Sequence, residues 1–240
     1  MKTMFRHFFL LASLLAMGLT AWGDEVPSIA PTGTIVSGGS EEEGDDSDKS
    51  YNAPLTVRFE ANAENVGDYS ATYEWRFYLN SMEEEPYLVR FEQDTEFTFT
   101  QYGDHLVVCY ATFIHGNDTV AYTQDYWHDA EPLKYAISES ILEMPNAFSP
   151  NGDDKNPIYC AKKYRSIVEF RAIIFNRWGQ KLYEWTDPAG GWDGTYNGHD
   201  VRQGVYYVLV RAKGSDGRKY NIRKDVNLLR GYTETSGNTQ

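Results

Sequence analysis

The sequence predicts an all-β chain: two small antiparallel β-sandwich domains in tandem, behind a leader and an acidic linker. Three observations carry this. Asn151-Gly152 and Asn197-Gly198 are dipeptides that readily adopt positive φ and favour tight turns between strands, and Trp178-Gly179 and Asp193-Gly194 repeat the signal. Between such turns apolar residues alternate: Val168, Phe170, Ala172 and Ile174 share one face of a strand, and Val205, Tyr207 and Leu209 share one face of another. Aromatic content is 15%, with 18 Tyr and 20 Gly, a composition suited to pleated strands and frequent turns.

Charge narrows the function classes. The 240 residues carry a formal net charge of −13, unevenly distributed. Residues 51–143 hold 17 acids and four bases, whereas residues 144–240 hold ten acids and 15 bases. A chain this acidic, without clustered Lys and Arg, is a poor match for nucleic acid, whose phosphates demand such clusters. Two separately solvated surfaces explain the asymmetry; attraction between the acidic middle and the basic end, or an acidic partner for that end, is the sharper reading.

Residues 1–23 read as a secretory signal peptide. Lys2, Arg6 and His7 precede an apolar core, Phe8–Leu19, too short to span a bilayer. Ala21 and Gly23 supply the small residues a signal peptidase reads, so cleavage is expected after Gly23. No other apolar run is long enough for a transmembrane helix, so none is expected in the mature chain. Residues 24–50 pass through Pro, Gly and Ser into the tract Glu41-Glu42-Glu43-Gly44-Asp45-Asp46-Ser47-Asp48 and are expected to form a disordered acidic linker.

Residues 51–139 read as the first sandwich. Val57, Phe59 and Ala61 alternate with Arg58 and Glu60; Tyr73, Trp75 and Phe77 alternate with Glu74 and Arg76; Phe97 and Phe99 flank Thr98. In His105–Phe113 both faces are apolar, as in a central strand buried on both sides. The aromatic stripe Tyr73, Trp75 and Phe77 could form a carbohydrate platform, but alternation favours a core stripe. The segments YEWRFY (Tyr73–Tyr78) and QYGDHLVV (Gln101–Val108) resemble the strand signals of PKD-like, immunoglobulin-like domains, although Leu79-Asn80-Ser81 stands where that family carries its GDG turn. Asp118-Thr119-Val120 resembles the Asp-Thr/Ser-hydrophobic O-glycosylation site of exported Bacteroidetes proteins, with Thr119 as acceptor; a plain strand threonine is the competing reading.

Residues 140–230 read as the second sandwich and 231–240 as a polar tail. PNAFSPNGD, IFNRWG, GWDGTYNG, GVYY and a closing strand ending VNLLR follow in that order from Pro145 to Arg230. This order resembles the gliding motility-associated C-terminal domain of Bacteroidetes, the type B sorting domain of the type IX secretion system. The residues carrying the resemblance are Pro145, Asn146, Phe148, Pro150, Asn151, Gly152, Asp153, Asn176, Arg177, Trp178, Gly179, Gly191, Trp192, Asp193, Gly194, Asn197, Gly198, Gly204, Tyr206 and Arg230. The chain departs from the family where Asp154 replaces a glycine, where Pro157 follows Asn156, and where ten residues follow Arg230. Trp178 and Trp192 read as core or turn-packing aromatics, and Asn176, Arg177, Asp193 and Asn197 as turn-stabilising groups. The closing strand reads as a sheet edge able to recruit a partner strand.

The chemistry-bearing patterns are sparse. The sequence has no HExxH, GxSxG, P-loop or dinucleotide fingerprint, and His105, His115, His128 and His199 lie apart. Asn151, Asp153, Asp154 and Asn156 offer the hard oxygen ligands calcium prefers, but Asn156 and Lys162 stand where an EF-hand loop needs Gly and Glu, and a self-bonded Asx turn is favoured. Cys109 and Cys160 fall in different predicted domains and are expected to be free thiols. No catalytic group, cofactor or metal is therefore expected.

The resemblance implies an exported, cell-surface, non-enzymatic protein, periplasmic in transit and delivered by the type IX machinery of the periplasm and outer membrane. The first sandwich would then be a binding or spacer module. The alternative is a component or regulator of that export system, presenting its last domain to a surface or sensor protein. A surface adhesin or carbohydrate-binding protein is a third reading.

Overall fold

The computed structural model describes residues 26–37, 40–43 and 49–231. The expected signal peptide and its cleavage point, residues 44–48 of the acidic tract, and residues 232–240 lie outside the described residues.

The first unit contains β1 (Thr32–Ser37), β2 (Ser40–Glu43), β3 (Ser50–Tyr51), β4 (Leu55–Glu60), β5 (Ser70–Leu79), β6 (Leu88–Arg90), β7 (Asp94–Phe99), β8 (Gly103–His115), β9 (Asp118–Tyr122), α1 (Gln124–Asp129) and β10 (Leu133–Ile137). One sheet runs β2-β1-β4-β7; the other runs β3-β10-β8-β5-β6, with β9 also on β8. The alternating residues meet between the sheets. Val57, Phe59, Trp75, Phe77, Phe99 and Tyr135 are fully buried. The Phe59 ring lies 5.6 Å from Trp75, 5.5 Å from Phe77 and 5.7 Å from Tyr135. Each such side chain contributes about 1.5–3 kcal/mol by leaving water. With Trp75 and Phe77 wholly inside, no carbohydrate platform exists on that stripe.

Two features correct the sequence reading. The expected disordered linker, residues 24–50, is in part a strand of the sandwich. β1 pairs antiparallel with β4, Ile35 opposite Val57, and Ile35 and Ile29 are buried. The run Thr34-Ile35-Val36 is β-branched and fits a pleated surface, a local signal diluted by the polar residues around it. The acidic Glu41–Glu43 then pairs back on β1. The second is the short helix α1, which breaks the all-β pattern. Trp127 anchors it, buried and donating Nε1–H to the Cys109 carbonyl at 2.9 Å.

The chain passes to a second core between Ile137 and Leu142. The second unit contains β11 (Ile141–Glu143), β12 (Ala147–Phe148), β13 (Tyr159–Cys160), β14 (Lys163–Arg165), β15 (Ile167–Phe175), β16 (Lys181–Trp185), β17 (Gly191–Trp192), β18 (Thr195–Tyr196), β19 (His199–Asp200), β20 (Gly204–Gly214) and β21 (Lys219–Leu228). A five-stranded sheet runs β12-β21-β20-β15-β16, and the two-stranded pairs β11-β14, β13-β17 and β18-β19 accompany it. Ala172, Ile174, Val208, Val210, Val226 and Leu228 bury one face of that sheet with Phe148, Tyr159 and Trp192.

Register decides which face is buried. β20 turns Tyr206, Val208, Val210 and Ala212 inward, so the alternation picked out at Val205 and Tyr207 lies on the open face, 49% and 48% exposed. The closing strand is not an outer edge either. β21 lies between β20 and β12, and β12 pairs in parallel with Asn227 and Leu228. A two-residue strand carries no periodic signal, so the sequence alone left β21 at the margin.

A polar seam joins the two units. The Ser166 hydroxyl accepts from the Ala53 N–H at 3.1 Å and lies 2.7 Å from the Ser138 hydroxyl. Ser215 donates its hydroxyl to the Ser138 carbonyl at 2.8 Å, and its own carbonyl accepts from the Tyr102 N–H at 3.0 Å. Ser140 donates to Asp216 at 2.7 Å, and Val168 packs on the first core. Gly214 permits the approach, because a Cβ there would collide with the Ser140 side chain. Gly214→Ala should therefore cost about 1–3 kcal/mol by overpacking and split one calorimetric transition into two.

The seam should also be acid-sensitive. Burial works to raise the Asp216 carboxyl, but hydrogen bonds from Ser140 and from the Arg218 N–H outweigh it and hold it below the ordinary carboxylate range. A carboxyl held low in the folded chain stabilises it above the unfolded pKa, and that contribution fades as pH falls through the folded value. Limited proteolysis near residue 140 should accelerate on acidification and not on alkalinisation.

Candidate functional site

The residues carrying the sequence motifs converge at the end of the second sandwich remote from the seam. β15 starts at the seam with Ile167 and β20 ends there with Gly214; at the other end, Phe175 lies opposite Tyr207. Nine residues of β15, at about 3.3 Å each, set this distal pole roughly 30 Å from the first unit.

Most motif residues at this pole fold the chain. Trp192 is fully buried, 5.3 Å from the Phe148 ring and 5.1 Å from Tyr206, and donates Nε1–H to the Thr195 carbonyl at 2.7 Å. Asp193 accepts from the Thr195 N–H at 2.9 Å and from its hydroxyl at 2.8 Å. Gly191 pairs with Cys160, and Gly204 opens β20 opposite Leu228. Asn197 and Gly198, with φ of 52° and 77°, make the tight turn between β18 and β19. The Tyr206 hydroxyl donates to the Arg202 carbonyl at 2.6 Å. The Pro145 carbonyl accepts from the Tyr159 hydroxyl at 3.0 Å, and the Asn146 carbonyl from the Asn227 N–H at 2.9 Å.

Arg230 clamps the pole. Its guanidinium donates to the carbonyls of Val201 at 3.2 Å, Pro150 at 3.1 Å and Gly194 at 2.8 Å, and pairs with Asp200 at 3.1 Å. A planar fork suits this task, since one rigid group reaches several acceptors. Gly194 sits at φ +81°, and a Cβ there would press within 3.1 Å of Pro150 and Leu228 and 3.2 Å of Arg230. The closing arginine is thus a structural staple across segments far apart in sequence.

The candidate calcium turn closes on itself. Asp153 accepts from the Lys155 N–H at 2.9 Å and from the Asn151 side-chain amide at 2.9 Å, while the Asn151 Oδ1 accepts from the Asp153 N–H at 3.2 Å. Those bonds, the Lys155 N–H first, hold the Asp153 carboxyl below its ordinary range. Gly152, Asp154 and Asn156 all take positive φ, which curls the loop. Among the described residues no group of three or more His, Cys, Asp or Glu is placed to hold a metal ion.

Two motif residues project instead. Trp178, read from sequence as a packing residue, is 83% exposed. Its turn is rigid: the Asn176 Oδ1 accepts from the N–H groups of Trp178 at 2.9 Å and Gln180 at 3.0 Å, and Gly179 turns at φ +77°. The Arg177 guanidinium lies 5.8 Å from the Trp178 ring centroid. Beside them opens a groove of about 340 Å³, lined by Gln180, Leu182, Tyr196, Arg202 and Val205 among others. The sequence signal for this site was present in Arg177-Trp178, but not its exposure.

Elsewhere, buried titratable groups are committed to the cores. His105 bonds the Tyr87 hydroxyl at 2.9 Å and the Gln101 carbonyl at 2.8 Å, and burial lowers its pKa. Burial pushes the Cys109 thiol up to about 12. Cys109 and Cys160 are both free thiols. Thr119 is exposed on β9, opposite Ile114.

Residues 142–224 match the family model described as CHU_C type IX secretion signal domain. The second sandwich is a type IX secretion signal domain. The match spans β11 to the middle of β21, so the signal domain includes the Arg177-Trp178 turn and stops short of the Arg230 staple. No curated protein matches the chain in sequence. Among solved structures the chain is similar to the dimeric latent PorU of Porphyromonas gingivalis, at 12% identity, a TM-score of 0.23, and coverage of 85% of this chain and 20% of that one. The chain thus spans a fifth of the PorU chain, and a likeness this low carries no weight for function.

Proposed function

We propose that this is an exported, cell-surface, non-enzymatic protein, delivered across the outer membrane by the type IX system through its signal domain. The single observation carrying this is the match of residues 142–224. The geometry supports it: the motif residues build one rigid unit whose remote pole presents Arg177 and Trp178. The first sandwich, which we read as PKD-like, acts as a binding or spacer module. Its filled aromatic core, which buries His105 and Cys109, supports that reading.

A second reading makes the chain a component or regulator of the export system itself. It is favoured by the seam, which holds the small first unit against the signal domain instead of leaving it as an independent passenger. The two part in a knockout: loss of one activity marks a passenger, and broad loss of other surface proteins marks a system component.

Protease shaving of intact cells tests the main reading. The chain should be cut in wild-type cells and protected in a type IX-deficient strain. Equal cutting in both strains would reject it.

A further inference from the structure

The distal pole combines three features that together suit binding. The first is a large exposed aromatic on a rigid turn. Trp178 is 83% exposed, yet Asn176 fixes its backbone through two hydrogen bonds. Exposed tryptophan on ordered backbone is costly to leave in water and is enriched at the energetic centres of interfaces. The second is continuity of apolar surface. Val205 lines the groove beside Trp178, and Tyr207 follows it on the same open face of β20, so three large side chains cluster at one end of the sheet.

The third feature is charge. The groove carries Arg177 and Arg202, and no Asp or Glu is among its lining residues. Neither arginine has a carboxylate partner among the described residues; the nearby Asp200 is paired with Arg230. The groove lies in the half of the chain where 15 bases outnumber ten acids, and its two guanidiniums concentrate that excess in one place. Guanidinium forks bind carboxylates in pairs of hydrogen bonds and stack on aromatic rings; here the Arg177 guanidinium lies 5.8 Å from the Trp178 ring centroid. The pole also lies at the end of the domain away from the first sandwich, so among the described residues the first unit does not cover it.

We propose that this pole is a docking surface for an acidic segment of a partner protein, with Trp178 as the apolar anchor and Arg177 and Arg202 receiving its carboxylates. The proposal rests on the type IX reading above, and names where on the signal domain the export machinery would engage and what chemistry that partner must carry. A bare polyanion would use the arginines but not the indole, and a neutral apolar peptide the indole but not the arginines. The groove and anchor together select a peptide carrying both.

Two measurements test this on the whole chain. In the first, the purified protein is titrated with a synthetic peptide alternating Glu with Leu, the same peptide with Gln for Glu, and dextran sulfate. The Glu peptide should bind, and binding should weaken at least tenfold in Trp178→Ala and in the double variant Arg177→Glu with Arg202→Glu. Arg211→Glu with Arg223→Glu, away from the groove, should bind as wild type. Absence of Glu-peptide binding, equal binding of the Gln peptide, binding of dextran sulfate indifferent to Trp178→Ala, or wild-type affinity in the groove variants would each overturn the proposal. In the second, surface delivery of Trp178→Ala is compared with wild type in cells. It should fall at least tenfold with the thermal midpoint unchanged, because an exposed ring contributes no core. Normal delivery of that variant, in a host where the wild type needs the type IX system, would sink the docking surface and leave the export reading standing. Delivery of the wild type without that system would sink the export reading whatever the groove binds.

Discussion

Trp192→Ala should unfold the signal domain. The side chain is fully buried, packs on Phe148 and Tyr206, and satisfies the Thr195 carbonyl. Truncating a buried tryptophan costs about 3–5 kcal/mol, and a whole domain holds only about 5–15 kcal/mol. The loss is worse than its area implies, because the Thr195 carbonyl loses its donor. Denaturant titration should show a midpoint shifted strongly downward. Trp192→Phe should recover more than half of the shift, since most of the volume returns. Trp178→Ala, at the other tryptophan of the motif but 83% exposed, should change the stability by less than about 0.5 kcal/mol. Similar costs for the two tryptophans would contradict the division of labour described here.

Arg230→Ala should be the second large effect, about 2–4 kcal/mol, from hydrogen bonds involving a charged group and the carbonyls left behind. The guanidinium serves Val201, Pro150 and Gly194 at once and also meets Asp200. Arg230→Lys keeps the charge but cannot span three carbonyls, so it should recover less than half. Amide hydrogen exchange is the sharper readout. Protection should fall first in β18, β19 and the loop before Asn156, which the staple ties together, while β15 and β20 remain protected. Uniform loss across the sheet would mean that Arg230 acts on global stability and not on the pole.

Much of the fold was legible because alternation reports burial wherever only one face is apolar. Alternation puts Phe59, Trp75, Phe77 and Phe99 on inward faces, where all four are fully buried, and the two apolar faces of β8 mark a central strand. Where both faces of a strand are apolar, alternation does not say which face is turned inward. In β20, Tyr206 and Tyr207 are identical in type, and only pairing with β21 turns the first inward. The strand β1 was lost because Thr34-Ile35-Val36 sits in polar, acidic surroundings. The seam was invisible, since Ser138, Ser140, Ser166 and Ser215 are small polar residues whose partners lie far away in sequence. The candidate site was half legible. Arg177-Trp178 stood out as a motif, but a turn tryptophan can point either way, and Trp192 and Trp178 take opposite ones.

The most direct test of the central claim is a transplant. A periplasmic reporter with its own leader is fused ahead of residues 26–240, so that the first unit and the seam stay intact, and its accessibility to antibody on intact cells is measured in a type IX-competent host. The account predicts reporter at the surface, lost with Trp192→Ala because the address no longer folds. Reporter that stays in the periplasm behind the intact chain, or that reaches the surface equally well behind the unfolded variant, would contradict it.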